Sequence, residues 1–283
     1  MEFTEQLRVE VQRSVAASLA EDIGTGDLTA RLIPASRNAR GRVITREEAV
    51  LCGTAWFDAT FAALEPDASV IWHARDGERL KPGQLLCEVD ASARALLTAE
   101  RTALNFIQLL SGTATLTATF VAAVAGTKAK IVDTRKTLPG LRLAQKYAVR
   151  VGGGTNHRVG LYDGILIKEN HIIAAGSIKA VIEQARSYAP SNVFIEVEVE
   201  DLAQLDEALA AGAKMILLDN MDLDQMRAAV ALNDGRAELE ASGGVNLERV
   251  RAIAETGVDR ISIGSLTKDL RAIDLSLRHV EEE

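Results

Sequence analysis

Apolar residues recur every four positions at Leu7, Val11, Val15 and Leu19, the spacing of one buried helix face, and predict an amphipathic opening helix. In EDIGTGDLTA, which follows, Gly24 and Gly26 break that pattern, and Asp27 or Thr29 is placed to cap what comes next. The glycine spacing fits neither common nucleotide loop, so a structural turn is expected there. Over residues 41–50 and 70–89 the pattern becomes strand-like, with Val43, Val50, Ile71 and Val89 set among turns such as Asp76-Gly77 and Pro82-Gly83. His73 reads as a surface or strand residue. Helical spacing returns over residues 91–110, where Leu96, Ala99, Ala103, Ile107 and Leu110 form the stripe. Gly112 is expected to interrupt it before a second helix in ATLTATFVAAVAG. Arg101 lies about 160° around from Ala103, at 100° per residue, and so faces solvent or another subunit. This half reads as α+β.

From residue 130 onward one theme repeats: a short apolar run, a polar residue at its C-terminal end, then a helical segment. The runs are Ile131-Val132, Ile165-Leu166-Ile167 and residues 193–199, 215–218, 237–239 and 260–263. They end at Arg135 with Lys136, at Lys168, Glu198, Asp219, Ser242-Gly243-Gly244 and Gly264-Ser265. Strands alternating with helices predict βα units on a parallel sheet. Chemistry at nearly every strand end favours a barrel, whose βα loops gather on one face, over an open doubly wound sheet. With fewer runs than the usual eight strands, the barrel is expected to be incomplete. In IEVEVE, Glu196, Glu198 and Glu200 share one face and Ile195, Val197 and Val199 the other. If the valines pack on outer helices, the carboxylates point into the barrel, where they need cations nearby. Ile273, Leu275 and Leu277 alternate near the end, so the tail is expected to return as a strand.

Composition narrows the function classes. A chain of 283 residues, 47% hydrophobic and 25% charged, is that of an ordinary globular protein of one large domain or two. Cys52 and Cys87 lack metal-ligand spacing and are expected to pack as small apolar side chains in a reducing compartment. No signal-peptide pattern and no membrane-length apolar stretch is read in the chain, which points to a cytoplasmic protein. The net charge is −8, yet residues 131–171 carry Arg135, Lys136, Arg142, Lys146, Arg150, Arg158 and Lys168 against Asp133, Asp163 and Glu169, leaving −12 elsewhere. A cationic island in an acidic chain suits a small anion better than nucleic acid. Arg142, Lys146 and Arg150, four residues apart, fit a solvated helix face equally well. ASGGV and ISIGS each offer backbone N–H groups before a helical segment, as phosphate sites on the last strands of a barrel do.

Together, EDIGTGDLT, ERTALNF, DTRKTLPGLR, GGGTNHRVGLYDGILIKENH, EVEVE, LLDNM, ASGGVN and ISIGSLT resemble the quinolinate phosphoribosyltransferases over nearly the whole chain. The resemblance implies an α/β fold: an N-terminal α/β sandwich domain (residues 1–110, joined by the tail 267–283) and a partial α/β barrel (residues 111–266). It implies transfer of phosphoribose from phosphoribosyl pyrophosphate to quinolinate with decarboxylation, in NAD biosynthesis. Mg2+ would accompany the donor. A head-to-tail homodimer would lend Arg101 to the neighbouring site, without nucleic-acid or membrane partners. By the same resemblance Arg135, His157, Arg158 and Lys168 surround the diacid, Lys136 lies on the donor side, and Thr134 is among the substrate-binding residues. Glu198 and Asp219 would serve the ribose and, through the donor or water, the metal. Ser242, Gly243, Gly244, Gly264 and Ser265 would form the phosphate loops, and Ile263 is among the substrate-binding residues. Lys136, Lys168, Glu198 and Asp219 are the residues expected to be catalytic. Ala241 stands where some relatives carry serine. Three other readings remain open: a Schiff-base aldolase using Lys168, a molybdenum-transport-associated paralogue of the same fold, and a non-catalytic anion binder.

Overall fold

The computed structural model describes residues 4–280. Its first half runs α1 (Glu5–Ile23), β1 (Asn38–Thr45), β2 (Ala49–Val50), α2 (Thr54–Leu64), β3 (Ser69–Trp72), β4 (Arg79–Leu80), β5 (Leu85–Ser92) and α3 (Ala93–Ala123). Then follow β6 (Lys130–Val132), α4 (Arg142–Val151), β7 (Gly164–Ile167), α5 (Glu169–Ala175), α6 (Ile178–Tyr188) and β8 (Phe194–Val199). The chain finishes with α7 (Leu202–Ala210), β9 (Met215–Asp219), α8 (Leu223–Asn233), β10 (Glu238–Ser242), α9 (Val250–Ala254), β11 (Arg260–Ser262), α10 (Ser265–Lys268) and β12 (Leu275–Val280). Two compact units result. One holds residues 4–118, Leu138–Gly153 and residues 269–280; the other holds Thr119–Thr137 and Gly154–Lys268.

The first unit is an α/β sandwich. Its four-stranded antiparallel sheet has the order β12-β1-β5-β3, and the tail strand β12 lies along β1 with Val43 opposite Leu277. The period-2 pattern puts Val43, Cys87 and Val89 on the buried face, against the α3 stripe of Leu96, Ala99, Ala103 and Ile107. Arg101 is exposed on the opposite side of that helix. In α1 the residues Leu7, Val11, Val15 and Leu19 are all buried, beside Trp56 of α2, a helix the apolar pattern did not single out. Gly24 ends α1, and Asp27 accepts from the Thr29 and Ala30 amides, so EDIGTGDLTA forms a capped turn. Both cysteines are free and buried, and burial pushes their thiol pKa values up.

Two expectations need correction here. Gly112 does not divide α3, which runs unbroken for 31 residues. The glycine serves close approach instead: a Cβ there would lie 2.2 Å from the Arg271 carbonyl oxygen. This same helix is, among the described residues, the one long and apolar enough to cross a membrane, and half of its most apolar window is buried inside the protein. No charged residue occurs between Arg101 and Lys128, but scattered Thr, Ser, Asn and Gln hide that length from a search for an unbroken apolar run. In α4, Lys146 is 2% exposed, so this cationic face is not simply solvated.

The second unit is a six-stranded parallel sheet of order β6-β11-β10-β9-β8-β7. Strands β7 to β11 neighbour one another in sequence order, and β11 then pairs with β6, the first strand. That order is a ring opened between β6 and β7, the incomplete barrel that too few strands imply. Val197, Val199, Leu218, Leu239 and Ile261 are buried apolar staves of this ring.

Candidate active site

Alternation along each parallel strand decides which side chains enter the ring. In β8, Val197 and Val199 face one way and are buried, so Glu196 and Glu198 face the other. The C-terminal strand ends converge on a pocket of about 270 Å³ lined by Thr134, Arg135, Lys136, His157, Arg158, Leu166, Lys168, Glu198, Leu217, Asp219, Glu240, Ser242 and Ser262. Nine of the expected site residues are among these. Gly243, Gly244, Ile263, Gly264 and Ser265 follow directly from the ends of β10 and β11. Arg101 belongs to the other unit, where it helps line a separate cavity of about 160 Å³ with Asp22, Asn105 and Leu141.

The pocket holds charge in two layers. In the outer layer Lys168 Nζ donates to Glu198 Oε2 at 3.0 Å, with the lysine side chain 52% and the glutamate 15% exposed. The Lys168 backbone N–H donates to His171 Nδ1 at 2.9 Å, which ties the strand end to the first turn of α5. Asp219 accepts from Asn220 Nδ2 at 2.9 Å, and Gly243 makes room for that asparagine, since a Cβ there would lie 2.1 Å from Asn220 Oδ1. Lys136 is draped over Gly264, whose Cβ would meet its stem at 2.9 Å, and Thr267 Oγ1 donates to the Lys136 carbonyl at 2.8 Å. Arg158 Nη1 donates to the Gly164 carbonyl at 3.0 Å, while Asp163 accepts from the Val159 and Gly160 amides and so fixes the following turn. Burial, together with the nearby Arg135 guanidinium, lowers the Arg158 pKa. Two guanidinium groups held near each other in a partly dry pocket call for an anion between them.

The inner layer is closed. Glu196 is fully buried and Glu240 is 1% exposed. His157 Nε2 lies 2.7 Å from Glu196 Oε2 and 3.9 Å from Glu240 Oε1, and Arg260 Nε donates to Glu240 Oε2 at 2.9 Å. Burial, and then the Glu196 charge, raises the Glu240 pKa. Glu240 was missed as a candidate, although in ELEAS it shares the inward face of Ser242. Ser262, next to it on β11, was missed too.

Two expectations about the loops also change. The ASGGV turn is separated from a helix by residues 245–249, and the ISIGS end leads at once into α10, which is only four residues long. Any phosphate site there would rest on loop amides with little helix dipole behind them.

Family models match both parts of the chain: "Quinolinate phosphoribosyl transferase, N-terminal domain" over residues 27–111, and the C-terminal domain of the same description over residues 113–278. The "Probable nicotinate-nucleotide pyrophosphorylase [carboxylating]" of Bacillus subtilis (strain 168) is 46% identical over 257 residues, covering 91% of this chain and 89% of that one. The "Nicotinate-nucleotide pyrophosphorylase [carboxylating]" of Mycobacterium leprae (strain TN) is 46% identical over 274 residues, covering 93% and 95%. The solved structure of the nicotinate-nucleotide pyrophosphorylase from Francisella tularensis superposes with a TM-score of 0.93 at 46% identity, covering 96% of each chain.

Proposed function

The chain belongs to the quinolinate phosphoribosyltransferase family and carries out decarboxylating phosphoribosyl transfer to quinolinate in NAD biosynthesis; we propose how the barrel pocket performs it. Arg135, Arg158 and Lys168 grip the two carboxylates of quinolinate, the guanidinium groups in fork geometry and the lysine as a point charge. Thr134 and Lys136 lie on the side of the phosphoribosyl donor. The loops Ser242-Gly243-Gly244 and Ile263-Gly264-Ser265 present backbone amides to its phosphates.

Glu198 and Asp219 supply fixed negative charge where the ribose carbon becomes positive as pyrophosphate departs. The quinolinate ring nitrogen forms its bond to that carbon, and the carbon–oxygen bond to pyrophosphate breaks. The ring is then a cation, so when the adjacent carboxylate leaves as carbon dioxide its bonding electrons are drawn into the ring. A proton from solvent completes that carbon. No covalent enzyme intermediate is required.

Mg2+ suits the oxygen donors that Glu198 and Asp219 offer in the pocket. These two residues would hold the ion directly or through water, and bound with the donor it would neutralise pyrophosphate charge. Arg101 completes the diacid site of a partner copy in a homodimer. The free, buried Cys52 and Cys87 support a reducing compartment such as the cytoplasm.

The observation that carries this reading is a guanidinium pair and a carboxylate pair facing one pocket. An aldolase lysine works desolvated, whereas Lys168 is half exposed and ion-paired. Calorimetric titration of quinolinate tests the reading. The protein should bind the diacid and Arg135→Ala should lose that binding with its circular dichroism unchanged; equal affinity in the two would refute the assignment.

A further inference from the structure

The cluster of His157, Glu196 and Glu240 is the deepest group of titratable side chains in the barrel, and its ligand atoms lie within 4.8 Å of one another. Hydrogen bonding decides its chemistry. The Arg158 backbone N–H donates to His157 Nδ1 at 2.8 Å, so that nitrogen is an acceptor. The ring proton therefore sits on Nε2 and points at Glu196 Oε2, 2.7 Å away. A metal at this cluster would need the Nε2 lone pair and a proton on Nδ1, which the Arg158 amide opposes. Both ring nitrogens are thus committed to the protein, and neither is left for a ligand.

The same bonds fix the neighbouring residue. The His157 amide donates to the buried Asp133 carboxylate at 2.8 Å, and the His157 ring packs edge-on against Phe194 at 5.4 Å. Phe194 in turn occupies the space above Gly164, where a Cβ would lie 2.6 Å from the Phe194 ring and 3.1 Å from Arg158 Cβ. The start of the Arg158 side chain is therefore held from three directions.

We propose that His157, locked in its Nε2–H tautomer between the Arg158 amide and Glu196, is a positioning residue that aims the Arg158 guanidinium at the diacid and does not touch the diacid itself. Glu196 is the second positioning residue, acting through His157. This deepens the function proposed above and rests on it for the identity of the diacid.

The test pairs spectroscopy with kinetics on the full-length protein. With histidine labelled by 15N, comparison with His157→Gln assigns the His157 signals among the four histidines. Nδ1 should be unprotonated and Nε2 protonated in the free protein, and both should stay so when quinolinate saturates. A proton on Nδ1, or transfer of the Nε2–H bond to quinolinate, would overturn the proposal. Glu196→Ala should raise KM for quinolinate roughly 10- to 100-fold, the size of effect a small misplacement of a binding group produces. Its kcat and its KM for phosphoribosyl pyrophosphate should change by less than about threefold, within the range expected when only ground-state binding is lost. Glu196→Gln keeps an oxygen for Nε2–H and should restore the KM. Equal KM values in Glu196→Ala and the unaltered protein, or no rescue by glutamine, would contradict the proposal. Should Glu196→Ala fail to fold, the tautomer in the unaltered protein still decides. Absence of any quinolinate turnover would instead defeat the functional reading, while the free-protein tautomer would remain a valid test of the lock.

Discussion

The outer and inner charge layers of the barrel use the same side-chain types to opposite ends. Lys168 and Glu198 meet at 3.0 Å with the lysine half exposed, so either can exchange its partner for a substrate group at small cost. Glu196 and Glu240 are almost wholly out of water, and Arg260, with 14% of its side chain exposed, is the guanidinium that pairs with Glu240. Charges there are affordable only while each keeps its counterpart. Burial of the carboxylates, with a half-exposed cation on one side and a mostly buried one on the other, therefore separates groups that serve the reaction from groups that hold the site in shape.

The sharpest way to break this comparison is to delete one cation from each layer. Lys168→Ala or Arg135→Ala should lower turnover by about 10³-fold or more, equivalent to roughly 4 kcal/mol of transition-state binding. The unfolding free energy of Lys168→Ala, measured by urea titration, should nonetheless change by no more than about 1 kcal/mol. Arg260→Met should do the reverse in kind, destabilising by about 3–5 kcal/mol because Glu240 is left buried without its guanidinium. Adding Glu240→Gln should recover most of that loss, and equal urea midpoints for Arg260→Met and the unaltered protein would erase the distinction between the layers.

Two further tests sharpen the contrast from outside the barrel. Arg101→Ala should be inactive, and mixing it with Lys168→Ala should restore part of the activity if a partner copy supplies Arg101; no restoration after confirmed subunit exchange would leave each site to one chain. In the sandwich unit, burial and then Asp76 push Asp58 up to about 6, against the hydrogen bond it accepts from Trp72 Nε1 at 2.8 Å. The folded state then holds the proton more tightly than the unfolded chain, so this residue's contribution to stability is full below the ordinary value of 3.8 and is lost as pH rises through about 6. Asp58→Asn should accordingly raise the melting temperature at pH 7 and make little difference at pH 4, a difference that calorimetry at the two pH values reads directly.

Much of the architecture was legible because one face of each element is buried. The four-residue stripe of Leu7 to Leu19, the alternation of Glu196 and Glu198 with the valines, and the returning tail of Leu275 and Leu277 all follow from side-chain period. What the period could not show was why a residue breaks it. Gly112 looks like a helix stop, but it answers to the Arg271 backbone, which is 159 positions away in sequence. The outer site residues stood out as charges at strand ends. Glu240 did not, because in ELEAS it alternates with Glu238 and carries no local mark of the Arg260 and His157 that surround it in space. Nor could sequence tell that His157 spends both ring nitrogens on its own fold.

The central claim is that the outer layer joins quinolinate to a phosphoribosyl group and expels two products. The most direct measurement follows carbon dioxide from carboxyl-labelled quinolinate and pyrophosphate from the donor in one reaction with purified protein and Mg2+. Equal amounts of the two, both dependent on quinolinate and both abolished by Lys168→Ala, are predicted. Pyrophosphate released without quinolinate, or carbon dioxide without pyrophosphate, would contradict the account.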